Sequence, residues 1–349
     1  MTPLLFIKHK NFNARTVDND ILILSKEYKV RMYEVNTSKG FGFFLALFKE
    51  FFWLLVNIHR YKVLFIWFAD YHSIFPVFFS KFFNKTCVIN VGGYDADEIL
   101  TGNPSTLKDK LRKFCVKYSL KNASALLPVS NVIKGYLEKD SGNKNINTMY
   151  CCIDTTKFIP AAIPVKENIV VTVGGGGEFI KEAKRKRLDY FIALGEEFNK
   201  RFPEYNARFF AIGHNPGNPV HNFLSELVVS DRVVLKPSTK SIEELVQYFS
   251  SASVYMQLSY YEAFGIAQVE AMLYGCIPVS NPGGAIAEVI GNTGFTIKDY
   301  DTDEYIRILK EIFDKKHENL RIKAQERAIK NFSLEARENA LLPFLRELA

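Results

Sequence analysis

The sequence predicts an α/β protein with two doubly wound domains, each built on a parallel sheet. The chain has 349 residues, which exceeds one ordinary domain and suits two. In both halves, short β-branched or aromatic runs alternate with helical stretches. Between the halves, the proline-containing segment 151–167 interrupts this alternation. We therefore place an N-terminal domain at 1–160 and a C-terminal domain at 165–331.

In the first half, five strand-like runs are separated by helical stretches. The strands are LLFIKH, KVRMYEV, VLFIWFAD, TCVINV and ALLPVS, and the helices cover roughly 17–27, 41–58, 73–83 and 105–121. Strands and helices in strict turn imply a parallel sheet with helices on both faces.

The second half repeats the pattern after the linker. Its strands are NIVVTV, ARFFAIG, RVVLKP, SVYMQLS and IPVS, and its helices cover roughly 187–200, 219–228, 241–250 and 265–274. Ser241 with Glu244 forms a capping box, and Gly275 follows the last helix where a left-handed residue is favoured. Open α/β sheets bind ligands at the carboxyl ends of their strands, so we expect the site in a cleft where two such sheets face each other.

The composition is that of a globular protein with a mild basic excess. Apolar residues make up 48% of the chain and aromatic residues 14%, which excludes disordered and collagen-like classes. Forty-five basic residues against 38 acidic ones give a net charge of +7, which favours anionic ligands such as nucleotide phosphates. The basic residues are dispersed and no zinc finger or basic zipper is evident, so we do not expect nucleic acid as a partner.

The cysteines and the N-terminus predict a cytoplasmic protein. Five cysteines form an odd set without C-x-x-C spacing, so neither a disulfide framework nor a zinc site is expected, and a reducing cytosol is the simplest compartment. The N-terminal MTPLLFIKHK lacks the features of a signal peptide.

The most apolar stretch of the chain is FGFFLALFKEFFWLLVNI, at 41–58. Lys49 and Glu50 interrupt it, so we expect a helix that covers the core and not a membrane crossing. Its density of phenylalanine and tryptophan, with Arg60 and Lys62 nearby, leaves a peripheral contact with the inner membrane surface as the alternative.

The stretch SYYEAFGIAQVEAMLYG, at 259–275, carries the clearest chemistry. Here Glu262 ends a strand and Gly265 opens a helix whose first backbone N–H groups can hold a diphosphate. Glu270 lies about 8 Å along that helix, at 1.5 Å per residue, which is the scale that separates a diphosphate from its ribose hydroxyls. The competing interpretation is that both carboxylates only stabilise the helix or face solvent. The three amides proposed for the diphosphate belong to Phe264, Gly265 and Ile266.

Four consecutive glycines, 174–177, follow the first strand of the second half. Such a run costs backbone entropy, which favours a phosphate-cradling loop over a simple flexible turn. A dinucleotide-binding fingerprint would need glycine at Phe179 and an acidic residue after the next strand, but that strand runs into Gly213 and His214. We assign donor contacts in these loops to Gly175, Gly176, Gly213 and His214, although His214 fits an exposed loop residue equally well.

Together these stretches resemble glycosyltransferase family 4. Glu262 and Glu270 with F-G between them and E-A-M-x-x-G-x-P-V after them are similar to the donor motif of that family. CCIDTTKFIP resembles its interdomain motif at Asp154, Phe158 and Pro160. Further matches are IVVTVGGGG followed by KRKRLDYFIAL, then FFAIGH, DRVVLKPS and the closing FSLEARENALLPFLRELA.

The resemblance implies a GT-B fold, in which two Rossmann-like domains face each other across a cleft and the closing helix, 332–349, returns to the N-terminal domain. It also implies a retaining transferase without a protein nucleophile or a metal, in which Glu262 stabilises the developing positive charge. Lys186 corresponds to the phosphate-binding lysine of the family, and Glu270 to the residue that holds the ribose.

Two family features are missing from this sequence. The usual arginine after the strand glycine has no counterpart, so Lys181, Lys184 or Arg185 would substitute for it, and we assign Arg185 to the donor site. The common histidine of the N-terminal domain is replaced by VGGYDADE, in which Asp95 is our candidate for orienting the acceptor.

We therefore expect a hexosyltransferase that uses a UDP- or GDP-linked sugar as co-substrate, without cofactor or metal. Its expected acceptor is a saccharide or lipid-linked hydroxyl in polysaccharide or glycolipid assembly. The alternative is a catalytically idle nucleotide-sugar-binding protein of the same fold, which the two missing family features suggest. A pyridoxal-dependent phosphorylase on the same architecture would require a lysine Schiff base and is less consistent with these motifs.

Overall fold

The chain folds into two units, each with its own sheet. The computed structural model describes residues 1–10, 12, 14–36, 41–93, 95–96, 107–155, 162–174 and 177–348. Unit 1 consists of Met1–Asp154 together with Leu334–Ala349, and unit 2 consists of Thr155–Ser333. Two doubly wound α/β units of this kind are the fold class that the alternating sequence pattern predicts.

In its described residues, unit 1 has a parallel sheet of five strands in the order β2-β1-β3-β4-β5. The strands are β1 (Thr2–His9), β2 (Tyr28–Val35), β3 (Val63–Trp67), β4 (Thr86–Val91) and β5 (Ala125–Pro128). The helices are α1 (Arg15–Leu24), α2 (Phe41–Asn57), α3 (Ile74–Phe82), α4 (Leu107–Asn122), α5 (Asn131–Asp140) and the closing α14 (Leu334–Leu348). All five predicted strands are confirmed, and α1 ends three residues earlier than predicted.

The closing helix α14 is fixed to the core of unit 1 by a buried ion pair. Arg337 pairs with Asp20 of α1, and its Nη1 also donates to the carbonyl oxygen of Met149 at 3.0 Å. Asp20 accepts a further hydrogen bond from Trp67 Nε1 at 2.8 Å. Because this charge pair is buried and hydrogen-bonded, loss of either partner would leave an uncompensated charge in the core.

Helix α2 carries apolar side chains on both faces. Leu54 is fully buried under the helix, while Phe48 on the opposite side is 62% exposed. By length and composition, the segment Gly42–Arg60 is apolar enough to cross a membrane, a test that core helices of soluble proteins also pass. Lys49 and Glu50 do not take the segment below that level, and its assignment as a helix that covers the core without crossing a membrane stays a prediction.

Unit 2 has a parallel sheet of six strands in its described residues, in the order β11-β10-β9-β6-β7-β8. The strands are β6 (Glu167–Val173), β7 (Arg208–Ile212), β8 (Val233–Lys236), β9 (Ala252–Gln257), β10 (Ile277–Ser280) and β11 (Phe295–Thr296). The helices are α6 (Ile180–Arg185), α7 (Leu188–Arg201), α8 (Pro219–Ser225), α9 (Ile242–Ser251), α10 (Ile266–Leu273), α11 (Ile286–Ile290), α12 (Thr302–Phe313) and α13 (Glu318–Phe332).

Side-chain N-caps start three of the helices described in unit 2, at Asn218, Ser241 and Asp301. The Ser241 hydroxyl accepts a hydrogen bond from the backbone N–H of Glu244 at 3.3 Å, which confirms the predicted N-cap of α9. The predicted helix 219–228 is shorter, ending at Ser225. Helix α6 lies in a stretch where only a loop is expected, and Arg187, with φ +53, separates it from α7. Because nothing but glycine adopts positive φ without cost, this break is not evident from the residue types.

Candidate active site

The sheet of unit 2 has its topological switch point between β6 and β9. From the central β6 the chain runs outward through β7 and β8, then returns to β9 on the other side and continues outward to β10 and β11. At such a point the connections leave the carboxyl ends of neighbouring strands in opposite directions, which opens a crevice for a ligand. Gly174 follows β6 here, and the loop from Leu258 to Glu262 follows β9. The expectation that Glu262 ends a strand is therefore wrong, because β9 already ends at Gln257.

Glu262 is oriented by a ladder of polar side chains on β9 and on the loop that follows it. Its Oε1 accepts hydrogen bonds from Ser259 Oγ at 2.9 Å and from Gln257 Nε2 at 3.4 Å. Gln257 Oε1 in turn accepts one from the Tyr255 hydroxyl at 2.9 Å. Tyr255 and Gln257 alternate along β9 and point to the same side of the sheet. Ser259, in the loop after β9, joins them by accepting a hydrogen bond from Gln257 Nε2 at 2.7 Å. Although Glu262 lies in a loop, its carboxylate is therefore held in one orientation by hydrogen bonds from buried side chains.

The loop that carries Glu262 is fixed from the other side by two glycines. The carbonyl oxygen of Glu262 accepts a hydrogen bond from the N–H of Ala285 at 2.8 Å, and Glu262 forms a β-bridge with Gly284. A Cβ on Gly283 would overlap the carbonyl oxygen of Ser259, and one on Gly284, with φ +65, would overlap that of Glu262. Only glycine allows this close approach of backbones. These two glycines are not among the predicted site residues, although the tripeptide P-G-G at 282–284 indicates a tight turn.

Arg185 connects the end of α6 to the Glu262 loop. Its Nη1 donates to the carbonyl oxygen of Tyr261 at 2.6 Å and lies 3.6 Å from Glu262 Oε1. The backbone oxygen of Arg185 accepts a hydrogen bond from the N–H of Tyr260 at 2.9 Å. Of the three basic residues proposed for the missing arginine, Lys181 is exposed and Lys184 has its ammonium 5.4 Å from the ring centroid of Phe223. Arg185 is the one that contacts the loop of the predicted catalytic carboxylate.

Lys186 lies next to Arg185 at the end of β6. Its Nζ donates to the carbonyl oxygen of Val173, the last residue of that strand, at 3.3 Å. The side chain is half-buried, so the ammonium is held at the switch point and keeps donor hydrogens for a ligand. The structure thus brings Arg185, Lys186 and Glu262 together at one place.

Arg187 is enclosed by three tyrosines that sequence reasoning did not single out. Its guanidinium carbon is 4.2 Å from the ring centroid of Tyr300 and 5.0 Å from those of Tyr190 and Tyr260. Its Nη1 also donates to the Tyr260 hydroxyl at 3.0 Å. Cation–π contacts of this number offset the left-handed backbone of Arg187 and tie α7 to the loop before Glu262.

His214 follows β7 and is almost completely buried, at 3% exposure. Within the part of the chain that the structure describes, neither ring nitrogen has a hydrogen-bond partner. The ring packs directly on Gly174, where a Cβ would overlap Nε2. Burial, together with the positive charges of His221 and Lys186, lowers the pKa of His214 to about 4. The imidazole is therefore neutral near pH 7 and keeps one N–H donor and one acceptor nitrogen for a bound group.

The N-terminus of α10 completes this end of the sheet. Gly265 is the N-cap, with φ +89, and α10 begins at Ile266, one residue later than predicted. Phe264 is buried against Phe332, with ring centroids 5.3 Å apart. Its side chain therefore packs in the core, and only its backbone amide is left as a candidate contact for the diphosphate. Glu270, in the second turn of the helix, is 7% exposed. Amide groups in the first turn of a helix are not used by the helix itself and point outward from its end.

Both predicted carboxylates act on one buried side chain. Burial raises the pKa of Tyr255 well above its usual value, and the negative charges of Glu262 and Glu270 raise it further. The hydroxyl of Tyr255 therefore stays protonated and donates to the ladder that holds Glu262.

Gly213, with φ +108, adopts the left-handed conformation that lets β7 turn into the His214 loop. Gly175 and Gly176 lie outside the described residues.

Asp95 belongs to unit 1 and is completely buried. Its Oδ1 accepts a hydrogen bond from the N–H of Gly93, and its Oδ2 accepts one from the N–H of Ala69, both at 3.0 Å. Burial raises the pKa of Asp95 to about 7, although these N–H groups oppose the shift. The carboxyl thus joins the loops that follow β3 and β4, and its link to an acceptor stays a prediction.

Unit 1 has its own switch point, between β1 and β3. His9 ends β1, and its ring centroid is 6.4 Å from that of His72, which lies beyond β3. His72 shares a hydrogen bond with the carbonyl oxygen of Trp67 at 3.0 Å. Asp70 is paired with Arg112, whose Nε donates to Oδ1 at 2.9 Å. Among the residues that the structure describes, no group of three or more His, Cys, Asp or Glu side chains could hold a metal ion.

Residues 155–331 match the model of a protein family described as glycosyl transferases group 1. The matched stretch covers half of the chain and contains Lys186, Glu262 and Glu270.

Three curated relatives match different shares of the sequence. N-acetyl-alpha-D-glucosaminyl L-malate synthase of Bacillus anthracis is 23% identical over 290 residues, which are 78% of this chain and 71% of the relative. MMP alpha-(1->4)-mannosyltransferase of Mycolicibacterium hassiacum is 34% identical over 34% of this chain and 30% of the relative. D-inositol 3-phosphate glycosyltransferase of Corynebacterium aurimucosum is 25% identical over 60% of this chain and 53% of the relative. The chain thus spans about half or less of the length of the last two relatives.

Solved structures share the fold at low sequence identity. Sucrose-phosphate synthase from Thermosynechococcus elongatus has a TM-score of 0.78 at 18% identity, and the likeness covers 100% of this chain and 99% of that one. Anabaena HepE, in complex with UDP-glucose, has a TM-score of 0.74 at 13% identity and covers 99% of this chain and 100% of that one. At these identities the likeness shows the architecture of two parallel α/β units and nothing more.

Proposed function

This chain belongs to the group 1 glycosyl transferases and has the GT-B fold, and we propose that it is a retaining hexosyltransferase. Its donor in this proposal is a sugar linked to a nucleoside diphosphate, and its acceptor is a hydroxyl group. The observation that carries the proposal is the meeting of Arg185, Lys186 and Glu262 at the β6–β9 switch point, beside the N-terminus of α10.

The positive groups at the switch point are suited to a departing diphosphate. The Lys186 ammonium and the free amides of the first turn of α10 would neutralise the negative charge that grows on the leaving oxygen. Arg185 adds a second cation on the side of the Glu262 loop. With three sources of positive charge, the diphosphate needs no metal in this proposal.

In this proposal Glu262 stabilises the positive charge that develops on the sugar. In the proposed step, the bond between the anomeric carbon and the diphosphate oxygen breaks, and the acceptor oxygen forms its bond on the same face. The acceptor proton passes to the departing phosphate oxygen. The ladder of Gln257 and Ser259 keeps the Glu262 carboxylate in place without reorganisation, which is what electrostatic stabilisation requires.

The remaining site residues complete the donor pocket. Glu270 would accept hydrogen bonds from the ribose hydroxyls, since it lies in the second turn of the helix that holds the phosphates. The neutral imidazole of His214, which has no hydrogen-bond partner among the described residues, would donate to the nucleotide portion. We propose a UDP- or GDP-linked sugar as the donor. Because Anabaena HepE was solved in complex with UDP-glucose, UDP-sugars are the first donors to test.

The acceptor side of the proposal rests on unit 1. Asp95 would act by fixing the loops after β3 and β4, whose ends lie at the carboxyl edge of the sheet where α/β units bind ligands. The relatives are named for small acceptors, malate and inositol phosphate, and for a mannosyl transfer. We propose a saccharide or lipid-linked acceptor in polysaccharide or glycolipid assembly, used at the cytoplasmic side of the membrane.

Release of nucleoside diphosphate from a panel of UDP-, GDP- and ADP-sugars tests the proposal. The purified protein should release diphosphate from one donor, faster when a hydroxyl acceptor is supplied and unchanged by a chelator. NMR of the product should show that the anomeric configuration of the donor is kept. If the protein binds a donor, seen as a rise in its melting temperature, but releases no diphosphate, it is instead an idle nucleotide-sugar-binding protein.

A further inference from the structure

We propose that α2, α3 and α4 of unit 1 form a docking surface for an anionic lipid bilayer, against which the protein lies without crossing it. The surface consists of two parts. Its aromatic face comprises the exposed side chains Phe44, Leu45, Phe48, Phe52, Leu55, Val56, Phe78, Phe82 and Phe83. Its lysine stripe comprises Lys110, Lys117 and Lys121 of α4.

Helix α2 exposes its apolar side and buries its acidic residue. Phe44, Phe48 and Phe52 follow each other at intervals of four residues, which places them on one face of the helix, and they are 47–63% exposed. Glu50, by contrast, is completely buried on the inner side. Burial raises the pKa of Glu50 well above its usual value, so the only charge that α2 presents outward is that of Lys49. A helix that exposes its aromatic side to water is unfavourable unless something covers that side.

The aromatic face is continuous from α2 to α3. Ring contacts lead from Phe48 to Phe52 at 4.6 Å and from Phe52 to Phe51 at 5.4 Å between centroids. Phe51 then contacts Phe79 of α3 at 5.0 Å. From Phe79 the series reaches the exposed rings of Phe78 and Phe82 in α3 and of Phe83 directly after it. The exposed rings therefore belong to one patch and are not scattered single residues.

The lysine stripe lies on the next helix. Lys110, Phe114, Lys117 and Lys121 are spaced by three or four residues, so they form one line along α4, and Phe114 within it is 60% exposed. Contacts of α3 with α4 include a hydrogen bond from Lys81 Nζ to Asn122 Oδ1 at 2.7 Å. The sequence of α4 has six basic residues and one acidic residue. Within the described ranges, the three lysines of the stripe have no acidic partner.

This combination fits a lipid surface better than a protein partner. Exposed phenylalanine rings, together with lysines on the neighbouring helix, match the boundary between acyl chains and anionic headgroups. A second copy of the chain would bring two lysine stripes together, and their like charges would repel each other. Crossing the membrane would remove the buried Glu50 face of α2 from its packing on unit 1. Helix α2, of 17 residues, is about 26 Å long and can lie flat on a bilayer.

Flotation of the full-length protein with lipid vesicles tests the proposal. Vesicles of phosphatidylcholine alone are compared with vesicles that contain about 30% phosphatidylglycerol, at low and at high salt. The protein should float with the anionic vesicles and at least about 10-fold less with the neutral ones, and high salt should release most of it. The proposal is overturned by equal binding to both vesicle types, or by binding that resists high salt and alkaline washing, which would indicate that α2 crosses the bilayer.

Two sets of variants assign the binding to this surface. Phe48→Ser/Phe52→Ser/Phe82→Ser and Lys110→Gln/Lys117→Gln/Lys121→Gln should each weaken flotation by about 10-fold or more, because each set removes one component of binding. All six positions are exposed, so the variants should fold, which circular dichroism checks. Matched controls in unit 2, Leu227→Ser/Val229→Ser/Ile322→Ser and Lys200→Gln/Lys323→Gln/Lys330→Gln, should float like the wild type.

The remaining outcomes separate this proposal from others. Undiminished flotation of both variants would overturn it, since the bilayer would then contact another surface. Absence of flotation together with a dimer that the phenylalanine variant dissociates would assign the face to a second copy of the chain. Diphosphate release measured without vesicles should be the same for wild type and variants. Failure of the docking proposal therefore leaves the proposed transfer reaction untouched, and failure of that reaction leaves flotation unchanged.

Discussion

Arg185 holds its guanidinium 3.6 Å from the carboxylate of Glu262 while it donates a hydrogen bond to the neighbouring carbonyl oxygen of Tyr261. This relationship ties the hinge between α6 and α7 to the loop after β9. As a result, the cations proposed for the phosphates and the carboxylate proposed for the sugar belong to one connected structure. Disturbing either residue should therefore affect the reaction, but in different ways.

Replacing Glu262 should affect the chemical step. Glu262→Ala should lower kcat for sugar transfer by about 10² or more while the KM for the donor changes little, because the carboxylate stabilises charge that develops only in the transition state. Steady-state rates of diphosphate release measure this. Glu226→Gln, at an exposed position of unit 2, is the matched control and should keep wild-type rates. Unchanged kcat in Glu262→Ala would remove this residue from the catalytic machinery.

Replacing Arg185 should weaken donor binding. Arg185→Ala should raise the Kd for nucleoside diphosphate by about 10- to 150-fold, because a charge-assisted contact of this kind contributes roughly 1.5–3 kcal/mol. Calorimetric titration with UDP measures the change. Lys181→Ala is the control, since Lys181 is exposed and was the competing candidate for the missing arginine. A larger loss in Lys181→Ala than in Arg185→Ala would reverse the assignment.

His214 should contribute to donor binding as a neutral group. His214→Ala should weaken binding of the nucleotide by about 5-fold or more, because the variant loses the buried imidazole N–H that would form a hydrogen bond with the nucleotide. Since burial lowers the pKa of His214 to about 4, the imidazole stays uncharged from pH 5.5 to 8. Wild type and His214→Ala should therefore show parallel pH profiles of Kd over that range, with His59→Ala as an exposed control. Profiles that diverge near pH 6.5 would mean that His214 titrates there.

Glu50 should make the stability of the protein depend on pH. Burial raises its pKa in the folded state above the unfolded value of about 4.3, so the folded chain binds more protons and the free energy of unfolding falls as pH rises above that value. Glu50→Gln removes this titration. The variant should equal the wild type near pH 4 and become more stable by up to about 1.4 kcal/mol for each pH unit above it, until the folded pKa is reached.

Urea unfolding of wild type and Glu50→Gln between pH 4 and 8 measures that difference. Glu138→Gln, at an exposed position of α5, serves as the control and should follow the wild type at every pH. A difference in stability that stays constant across the range would show that the Glu50 carboxyl titrates normally in the folded protein.

The strand positions were predictable because buried parallel strands leave a strong pattern. Val63–Trp67, for example, is buried along its whole length, and such a run is apolar without alternation. The short helix α6 was not predictable in the same way. Its end depends on Arg187, whose positive φ is compensated by rings from Tyr190, Tyr260 and Tyr300. Those contacts join distant parts of the sequence, so no local pattern records them.

In the candidate site too, some features were predictable from the sequence and others were not. The spacing of Glu262 and Glu270 around Gly265 was readable because it reflects the rise of a single helix. The ladder of Tyr255, Gln257 and Ser259 was not predictable, because polar residues in and just after an apolar strand do not by themselves indicate a shared partner. Their function becomes evident once their side chains are seen to form one series of hydrogen bonds that ends at Glu262.

A crystal structure of the protein with UDP bound would show whether the switch point of unit 2 is the donor site. We expect the diphosphate to contact the backbone N–H groups of Gly265 and Ile266 and the Nζ of Lys186, with the ribose hydroxyls within hydrogen-bond distance of Glu270. Occupied density for UDP away from the β6–β9 switch point, or with the ribose directed away from Glu270, would contradict this expectation.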